Sequence, residues 1–270
     1  MREGLADFPV TLPCGRCIGC RLEHSRQWAM RCVHESKLYS NNCFVTLTYS
    51  DEFLPENRSL DYDAPVLFMK RLRKQFGNGI RSYGCAEYGE LLQRPHYHIC
   101  IFNFDFADKV IYKRQDENSL YTSKDLARLW PFGFSTVGSL TFESAAYTAR
   151  YVTKKITGDD ASSHYERVCD RTGEVVTLLP ERAVSVSRRP GLGKEFYERY
   201  GGFLREHDAA IINARKVRPA KYYDRLFDLS DPSGFKRVRA ARRIRALDAA
   251  ASLEAEQSLA RASFEAKGGF

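Results

Sequence analysis

The sequence predicts an α+β fold with a mostly antiparallel sheet and helices packed on one face of it. Three observations predict it. Short β-rich runs recur at 43–49, 81–88, 95–104 and 134–142. Helical spacing fills the intervals at 63–76 and 123–130. The run 95–104 (PHYHICIFNF) carries apolar residues on both faces, which marks a strand in the middle of the sheet.

Each element has its own local reason. Residues 1–20 read as an arm ending in the loop Pro13-Cys14-Gly15-Arg16-Cys17-Ile18-Gly19-Cys20, and a helical pattern runs from 21 to about 38. The run 43–49 (CFVTLTY) is rich in β-formers. In the helix 63–76, Val66, Phe68, Met69 and Leu72 share a face, and Gly77 closes it. A polar loop follows the third strand. Thr122 or Ser123 caps a helix through Trp130, which Pro131-Phe132-Gly133 stops. A fourth strand at 134–142 leads into a helix at 143–156. Beyond a linker at 159–163, a hairpin within 168–187 turns at Thr172-Gly173. A turn at Arg189-Pro190-Gly191-Leu192-Gly193 precedes a short helix at 194–200, and an Ala/Arg-rich helix begins near 235. The expected division is a Cys-rich arm and helix at 1–40, a core at 41–158, an extension of the core at 159–230 and a basic helical tail at 231–270.

Composition bounds the function. With 43% hydrophobic and 28% charged residues over 270 positions, a wholly disordered chain is excluded and one or two domains are expected. The apolar stretches are only strand-length, so no bilayer-spanning helix and no membrane partner are expected. The first ten residues lack an apolar h-region, so no secretory signal is expected. Without one, the eight cysteines read as free thiols rather than a disulfide framework. Forty-two Lys and Arg against 34 Asp and Glu leave a net charge of +8, which suits an anionic partner such as nucleic acid.

Two patterns carry chemistry. In His96-Tyr97-His98, alternate residues of a strand point to one face, so two imidazoles stand side by side on a rigid element. Glu87 or Glu90 could add a carboxylate, and Glu87, deeper in its strand, is preferred. Two His and one carboxylate suit Mg²⁺ or Mn²⁺ with positions left open for phosphate oxygens. A histidine-triad hydrolase would need a third His at position 100, where this chain has Cys. On the helix 143–156, Ala145, Ala149, Val152 and Ile156 form one apolar stripe. Tyr147, Tyr151 and Lys154 cluster on the other side with Lys155 adjacent. Phenols beside cations suit a nucleophile for phosphodiesters.

Together and in this order, the two patterns resemble the HUH endonucleases, and Tyr147 and Tyr151 resemble the pair of the two-tyrosine rolling-circle initiators. Pro13 to Arg21 with Trp28, Glu87-Tyr88-Gly89, Arg94-Pro95-His96-Tyr97-His98, Ser144-Ala145-Ala146-Tyr147 and Ser187-Arg188-Arg189-Pro190-Gly191 are similar to the replication initiators of the Microviridae, of gokushovirus type. The resemblance runs from about 13 to about 226. It implies an HUH-type (RRM/ferredoxin-like) central antiparallel sheet with flanking helices. It implies nicking and rejoining of viral single-stranded and replicative-form DNA at the origin through a 5′-phosphotyrosine, with host helicase and polymerase as partners in the bacterial cytoplasm. His96 and His98 match the metal pair, Tyr147 and Tyr151 the nucleophiles, and Lys154 and Lys155 the basic positions after them. Arg150 stands where the family often has Lys; it keeps the charge but not the compact ammonium.

Cys14, Cys17 and Cys20 are spaced as a zinc anchor one ligand short, which Cys32, His34 or His24 would complete. Arg94, Arg150, Arg188 and Arg189 are candidate DNA contacts. Lys70, Arg71, Arg73 and Lys74, and the run Lys236, Arg237, Arg239, Arg242, Arg243 and Arg245, are either solvated faces or phosphate contacts. The rival reading is a non-enzymatic zinc-knuckle protein that binds or packages single-stranded DNA. It accounts for the charge and the cysteines but leaves the joint His and Tyr pattern without a purpose.

Overall fold

A computed structural model describes residues 13–15, 17–114, 119–152, 155–156, 158, 160–169 and 171–266, and their side chains except at 151–152, 160 and 250–266. The chain divides into two compact units, Met1–Arg199 and Tyr200–Phe270.

In the first unit, helix α1 (Ile18–Ser36) leads into strand β1 (Asn42–Thr48), helix α2 (Asp63–Phe76) and the strands β2 (Arg81–Tyr88) and β3 (Pro95–Phe102). Strands β4 (Val110–Lys113) and β5 (Leu120–Thr122), helix α3 (Lys124–Leu129), strand β6 (Ser135–Gly138) and helix α4 (Phe142–Val152) follow. Then come helix α5 (Asp160–Tyr165), the strands β7 (Glu166–Val168), β8 (Val175–Thr177) and β9 (Arg182–Val184), and the start of helix α6 (Lys194–His207). Seven strands form one antiparallel sheet in the order β4-β5-β6-β1-β3-β2-β9, and β7 and β8 make a separate hairpin. This is the antiparallel α+β architecture the sequence predicts, and 95–104 does lie at its centre.

Alternation along β3 sets up two cores. Tyr97, Ile99 and Ile101 face Phe68, Met69 and Leu72 of α2, Leu126 and Leu129 of α3, and Trp130. Cys100 and Phe102 face Ala29 and Cys32 of α1 and Ala145 and Ala149 of α4. Each large side chain so buried contributes roughly 1.5–3 kcal/mol. The expectation of helices on one face is therefore corrected. β3 is apolar on both sides, so both sides need cover.

Three local expectations change as well. The loop after β3 contains an edge hairpin, β4–β5. Its first strand, Val-Ile-Tyr-Lys, is exposed throughout, and the charged residues around it hid its β character. The linker at 159–163 falls largely within α5, which ends on the buried Tyr165, whose hydroxyl bonds Glu181; residue 159 lies outside the described residues. The fourth strand stops at Gly138, because Ser144 and Thr141 exchange hydrogen bonds that start the next helix. Ser123, not Thr122, caps α3 by accepting from the Leu126 amide. Gly133 is fixed by space: a Cβ there would lie 2.4 Å from the Thr48 carbonyl oxygen.

α1 carries a pH-sensitive contact. His34 is buried and stacks on Phe196, with centroids 4.0 Å apart. Burial, helped by the charge of Lys37, pulls its pKa down to about 3. The unfolded chain therefore takes up a proton that the folded one refuses as pH falls from about 6.5 toward 3. This contribution to stability is complete above pH 6.5 and declines below it, by up to about 1.4 kcal/mol per pH unit. His34→Gln should flatten the slope of unfolding free energy against pH between 6 and 4. Denaturant melts across that range check it, and an unchanged slope would rule it out.

The second unit holds the rest of α6, the hairpin of β10 (Ala210–Ile212) and β11 (Arg215–Val217), and the helices α7 (Lys221–Ser230) and α8 (Pro232–Ala266). Asp231 turns the chain between α7 and α8 by accepting from the Gly234 amide at 2.8 Å. The basic run on α8 is not simply a solvated tail. Arg242 reaches Asp208 and Asp224 together, and Arg245 reaches Asp208. These carboxylates hold the Arg242 guanidinium charged against its partial burial. Part of the basic excess is thus spent within the fold.

Candidate metal centre and tyrosine helix

Register brings the site together. β3 lies between β1 and β2, so His96 sits opposite Glu87 on one side and Thr48 on the other, and His98 sits opposite Cys85 and Thr46. His96, His98 and Glu87 project to the face covered by α1 and α4. One ligand atom from each lies within 4.8 Å of the other two. Glu87 rather than Glu90 completes the set, because Glu87 faces His96 across the ladder while Glu90 is exposed in the β2–β3 turn.

The ring nitrogens are divided between two jobs. His96 Nδ1 lies 3.1 Å from the Arg94 carbonyl oxygen. A carbonyl only accepts, so Nδ1 carries the proton and Nε2 presents its lone pair. Nε2 lies 2.7 Å from Glu87 Oε1, and a proton or a cation must sit between two such electron-rich atoms. His98 Nδ1 contacts Thr46 Oγ1 at 3.0 Å, and its Nε2 is 2.9 Å from the same Glu87 oxygen. Phe44 stacks on His98 and fixes the ring plane. In each histidine the nitrogen away from the carboxylate is tethered, the arrangement that orients an imidazole toward a metal.

Burial works against the Glu87 carboxylate. Hydrogen bonds from His96 and His98 and their charge outweigh it, so the carboxyl titrates below its usual range. Burial pushes His98 below the usual imidazole range, and Glu87 only partly offsets that. An ionised carboxylate and a neutral imidazole are the ligand forms of both groups. Glu87 is 1% exposed, and its second oxygen, Oε2, has no hydrogen-bond partner among the described residues. A buried carboxylate oxygen without a donor is costly unless a cation meets it. The three residues thus fit a divalent metal.

α4 lies over this centre. Ala145 and Ala149 are fully buried against Tyr83 and Cys100, and Thr148 bonds back to the Ser144 carbonyl at 3.0 Å. With that stripe inward, the half-buried Tyr147 ring meets the His98 ring edge to face, with centroids 5.0 Å apart. Tyr151 follows one turn later on the helix; its side chain and all of Lys154 lie outside the described residues. Lys155 and Arg150 are exposed. α1 braces α4, since Ser25 Oγ donates to the Ala146 carbonyl at 2.8 Å. The sequence reading missed Ser25, Thr46 and Phe44. A buried Ser or Thr has no signature in a single sequence until its partner is known.

The other expected site residues are scattered. Arg94 borders the centre but is engaged by Asp51 and the Tyr49 carbonyl. Arg188 and Arg189 line an open cleft of about 520 Å³ with Arg73, Arg81, Tyr39 and Glu195. Arg81 pairs with Phe102 at the far end of β3, six residues from His96, or about 20 Å along the strand. On α2, Arg71 and Arg73 donate to the Leu129 and Ile80 carbonyls, while Lys70 and Lys74 are exposed. Cys14, Cys17 and Cys20 do gather, within 4.8 Å of one another. The expected fourth ligands do not join them among the described residues. Cys32 is buried beside Cys100, His34 is buried against Phe196, and His24 lies near Trp28.

An antiparallel sheet with a carboxylate–imidazole–imidazole centre under a tyrosine-bearing helix defines the class. Residues 42–156, which hold both features, match the model of a family described as replication-associated protein, ORF2 type. The chain is 35% identical over 230 residues to "Replication-associated protein ORF2" of Spiroplasma virus 4, covering 80% of this chain and 67% of that one. It is 35% identical to "Replication-associated protein VP4" of Bdellovibrio phage phiMH2K, covering 73% of this chain and 60% of the relative. A third relative, "Replication-associated protein ORF4" of Chlamydia phage 1, is 31% identical and is covered over 41% of its length. No solved structure matches the chain. The chain belongs to this family of phage replication-associated proteins.

Proposed function

We propose that the protein initiates viral DNA replication by nicking and rejoining origin DNA through tyrosine transesterification. The observation that carries this reading is the Glu87–His96–His98 cluster with the Tyr147 ring packed against His98. Glu87, His96 and His98 would hold Mg²⁺ or Mn²⁺. Once bound, the metal supplies Lewis-acid stabilisation to a phosphate oxygen. A Zn²⁺ at the cysteine cluster is not required for this reaction.

The protein's own groups do the rest. α4 fixes Tyr147 at the rim of the centre, which lowers the entropic cost of attack. The phenol oxygen of Tyr147 or Tyr151 forms a bond to phosphorus, and the bond from phosphorus to the 3′ oxygen breaks. The phenol proton leaves, and the departing 3′ oxygen takes one up. The product is a 5′-phosphotyrosine and a free 3′-OH, which a host polymerase can extend. Joining is the reverse exchange with a new 3′-OH, and the phosphotyrosine conserves the bond, so no nucleotide triphosphate is consumed. Two tyrosines one turn apart allow cutting and joining to alternate. Lys154 and Lys155 are the cations assigned to favour the phenolate. Arg94, Arg150, Arg188 and Arg189 are assigned to phosphates of the single-stranded and replicative-form DNA. The place of action is the host cytoplasm, with host helicase and polymerase.

The test is incubation of the protein with single-stranded viral origin DNA and Mg²⁺ or Mn²⁺, followed by denaturing electrophoresis. An SDS-resistant protein–DNA adduct that requires the metal is expected. No adduct with either metal, across the whole viral genome sequence, would overturn the reading.

A further inference from the structure

The cysteine loop lies outside the chemistry above. Cys14 Sγ and Cys20 Sγ are 3.9 Å apart, and all three sulfurs of Cys14, Cys17 and Cys20 lie within 4.8 Å of one another. A disulfide needs about 2.05 Å, and these are free thiols. Two sulfurs bound at about 2.3 Å to one tetrahedral zinc stand about 3.8 Å apart, so the observed spacing is that of co-ligands. The backbone is shaped to the sulfurs. Gly15 takes φ +73°, which folds the loop back on itself. The Cys17 amide donates to Cys14 Sγ at 3.3 Å, and the Gly15 amide is directed at the Cys20 sulfur. Amides aimed at sulfur, and the N-terminal end of α1 beginning at Cys17, both favour the thiolate over the thiol. The Gly15 amide lowers the Cys20 thiol, but the neighbouring Cys17 and Cys14 sulfurs outweigh it and leave that thiol raised. A cation shared among the three sulfurs removes this mutual repulsion.

We infer that Cys14, Cys17 and Cys20 bind one thiophilic divalent cation, Zn²⁺ by donor chemistry, through three thiolates with the fourth position taken by solvent. No fourth His, Cys, Asp or Glu joins them among the described residues. The thiols lose up to three protons as the metal enters. No redox step is involved, because Zn²⁺ has no accessible second state.

The location gives the metal a structural purpose. Ser25, which bonds the Ala146 carbonyl next to Tyr147, lies five residues after Cys20, or about 7.5 Å along α1. α1 has no side-chain cap at Cys17 and no acidic residue in its first turn. A metal pinning Cys14 to Cys17 and Cys20 would take the place of that cap and hold the end of α1 that braces the tyrosine helix.

The test uses the full chain, reduced and freed of metal, and does not depend on nicking. Zn²⁺ alone is the probe, and thiol alkylation is read site by site by mass spectrometry. One equivalent of Zn²⁺ should slow alkylation of Cys14, Cys17 and Cys20 by at least about tenfold. Cys169, half-buried and outside the cluster, is the internal control and should be unaffected. Co²⁺ in place of Zn²⁺ should give a thiolate-to-cobalt charge-transfer band, kept in Glu87→Gln and lost in the Cys14→Ser/Cys17→Ser/Cys20→Ser variant. Equal alkylation with and without Zn²⁺, or a cobalt band that survives the triple substitution, would overturn the inference. The wild-type alkylation result stands alone if the triple variant does not fold.

Discussion

Glu87→Gln is expected to weaken Mn²⁺ binding by at least about 10²-fold and to lower metal-dependent cleavage on the order of 10³-fold, with little loss of stability. The carboxylate is the only anionic group of the centre. Its charge offsets that of the cation in a site where Glu87 is 1% exposed and solvent screens little. Glutamine has nearly the same volume, so no cavity forms. Its amide can still donate to the Nε2 lone pair of His96, because His96 Nδ1 is already committed to the Arg94 carbonyl. The apo protein therefore keeps its contacts and loses only the charge. Glu87→Ala would mix this effect with a cavity and two unpaired imidazoles, and is the poorer experiment. Calorimetric titration with Mn²⁺, a thermal melt and the adduct assay separate the effects. Raising Mn²⁺ should recover part of the activity. Wild-type Mn²⁺ affinity in the glutamine variant would show that the three residues are a packed polar cluster and not a metal centre.

How much of this was legible in the sequence follows from how local each signal is. The central strand could be read from 95–104 because a strand buried on both faces leaves an unbroken apolar run. The same run should have implied helices on both faces, and that step was missed. The pairing of Glu87 with His96 depends on a hairpin register that the sequence only suggests, through the short interval between Tyr88 and Pro95. Preferring Glu87 over Glu90 rested on depth in the strand, and the ladder places it opposite His96. Thr46 was invisible as a partner of His98, because the two are 52 positions apart and meet only through sheet order. The tail misled for a similar reason. Arg242 looks like one of six equivalent cations until Asp208 and Asp224 are brought to it by the turns between α6, α7 and α8. The cysteine loop was legible because its ligands are three residues apart. Its supposed fourth ligand was not, because helical proximity to Cys20 says nothing of what else packs on His24, Cys32 or His34.

The tyrosine pair offers the other large effect. Tyr147→Phe and Tyr151→Phe singly should each leave a reduced covalent adduct, while the double variant should form none, a loss on the order of 10⁴-fold or more. Residues four apart on a helix lie on one face about 6 Å from each other, so either phenol can approach a phosphate held at the same centre. Phenylalanine at 147 keeps the ring that meets His98 edge to face, and α4 stays anchored through Ala145, Ala149, Thr148 and the bond from Ser25 to the Ala146 carbonyl. The substitution therefore removes a nucleophilic oxygen and little else. Joining should fall further than cutting in each single variant, because it needs a phosphotyrosine on one residue and a second cut by the other. Labelled origin oligonucleotides distinguish the two, with cutting read as adduct and joining as exchange of the labelled strand. Peptide mapping of the adduct in each single variant should find DNA on the remaining tyrosine. An adduct that persists in the double variant would place the nucleophile elsewhere, and would leave the ring of Tyr147 as packing on His98 alone.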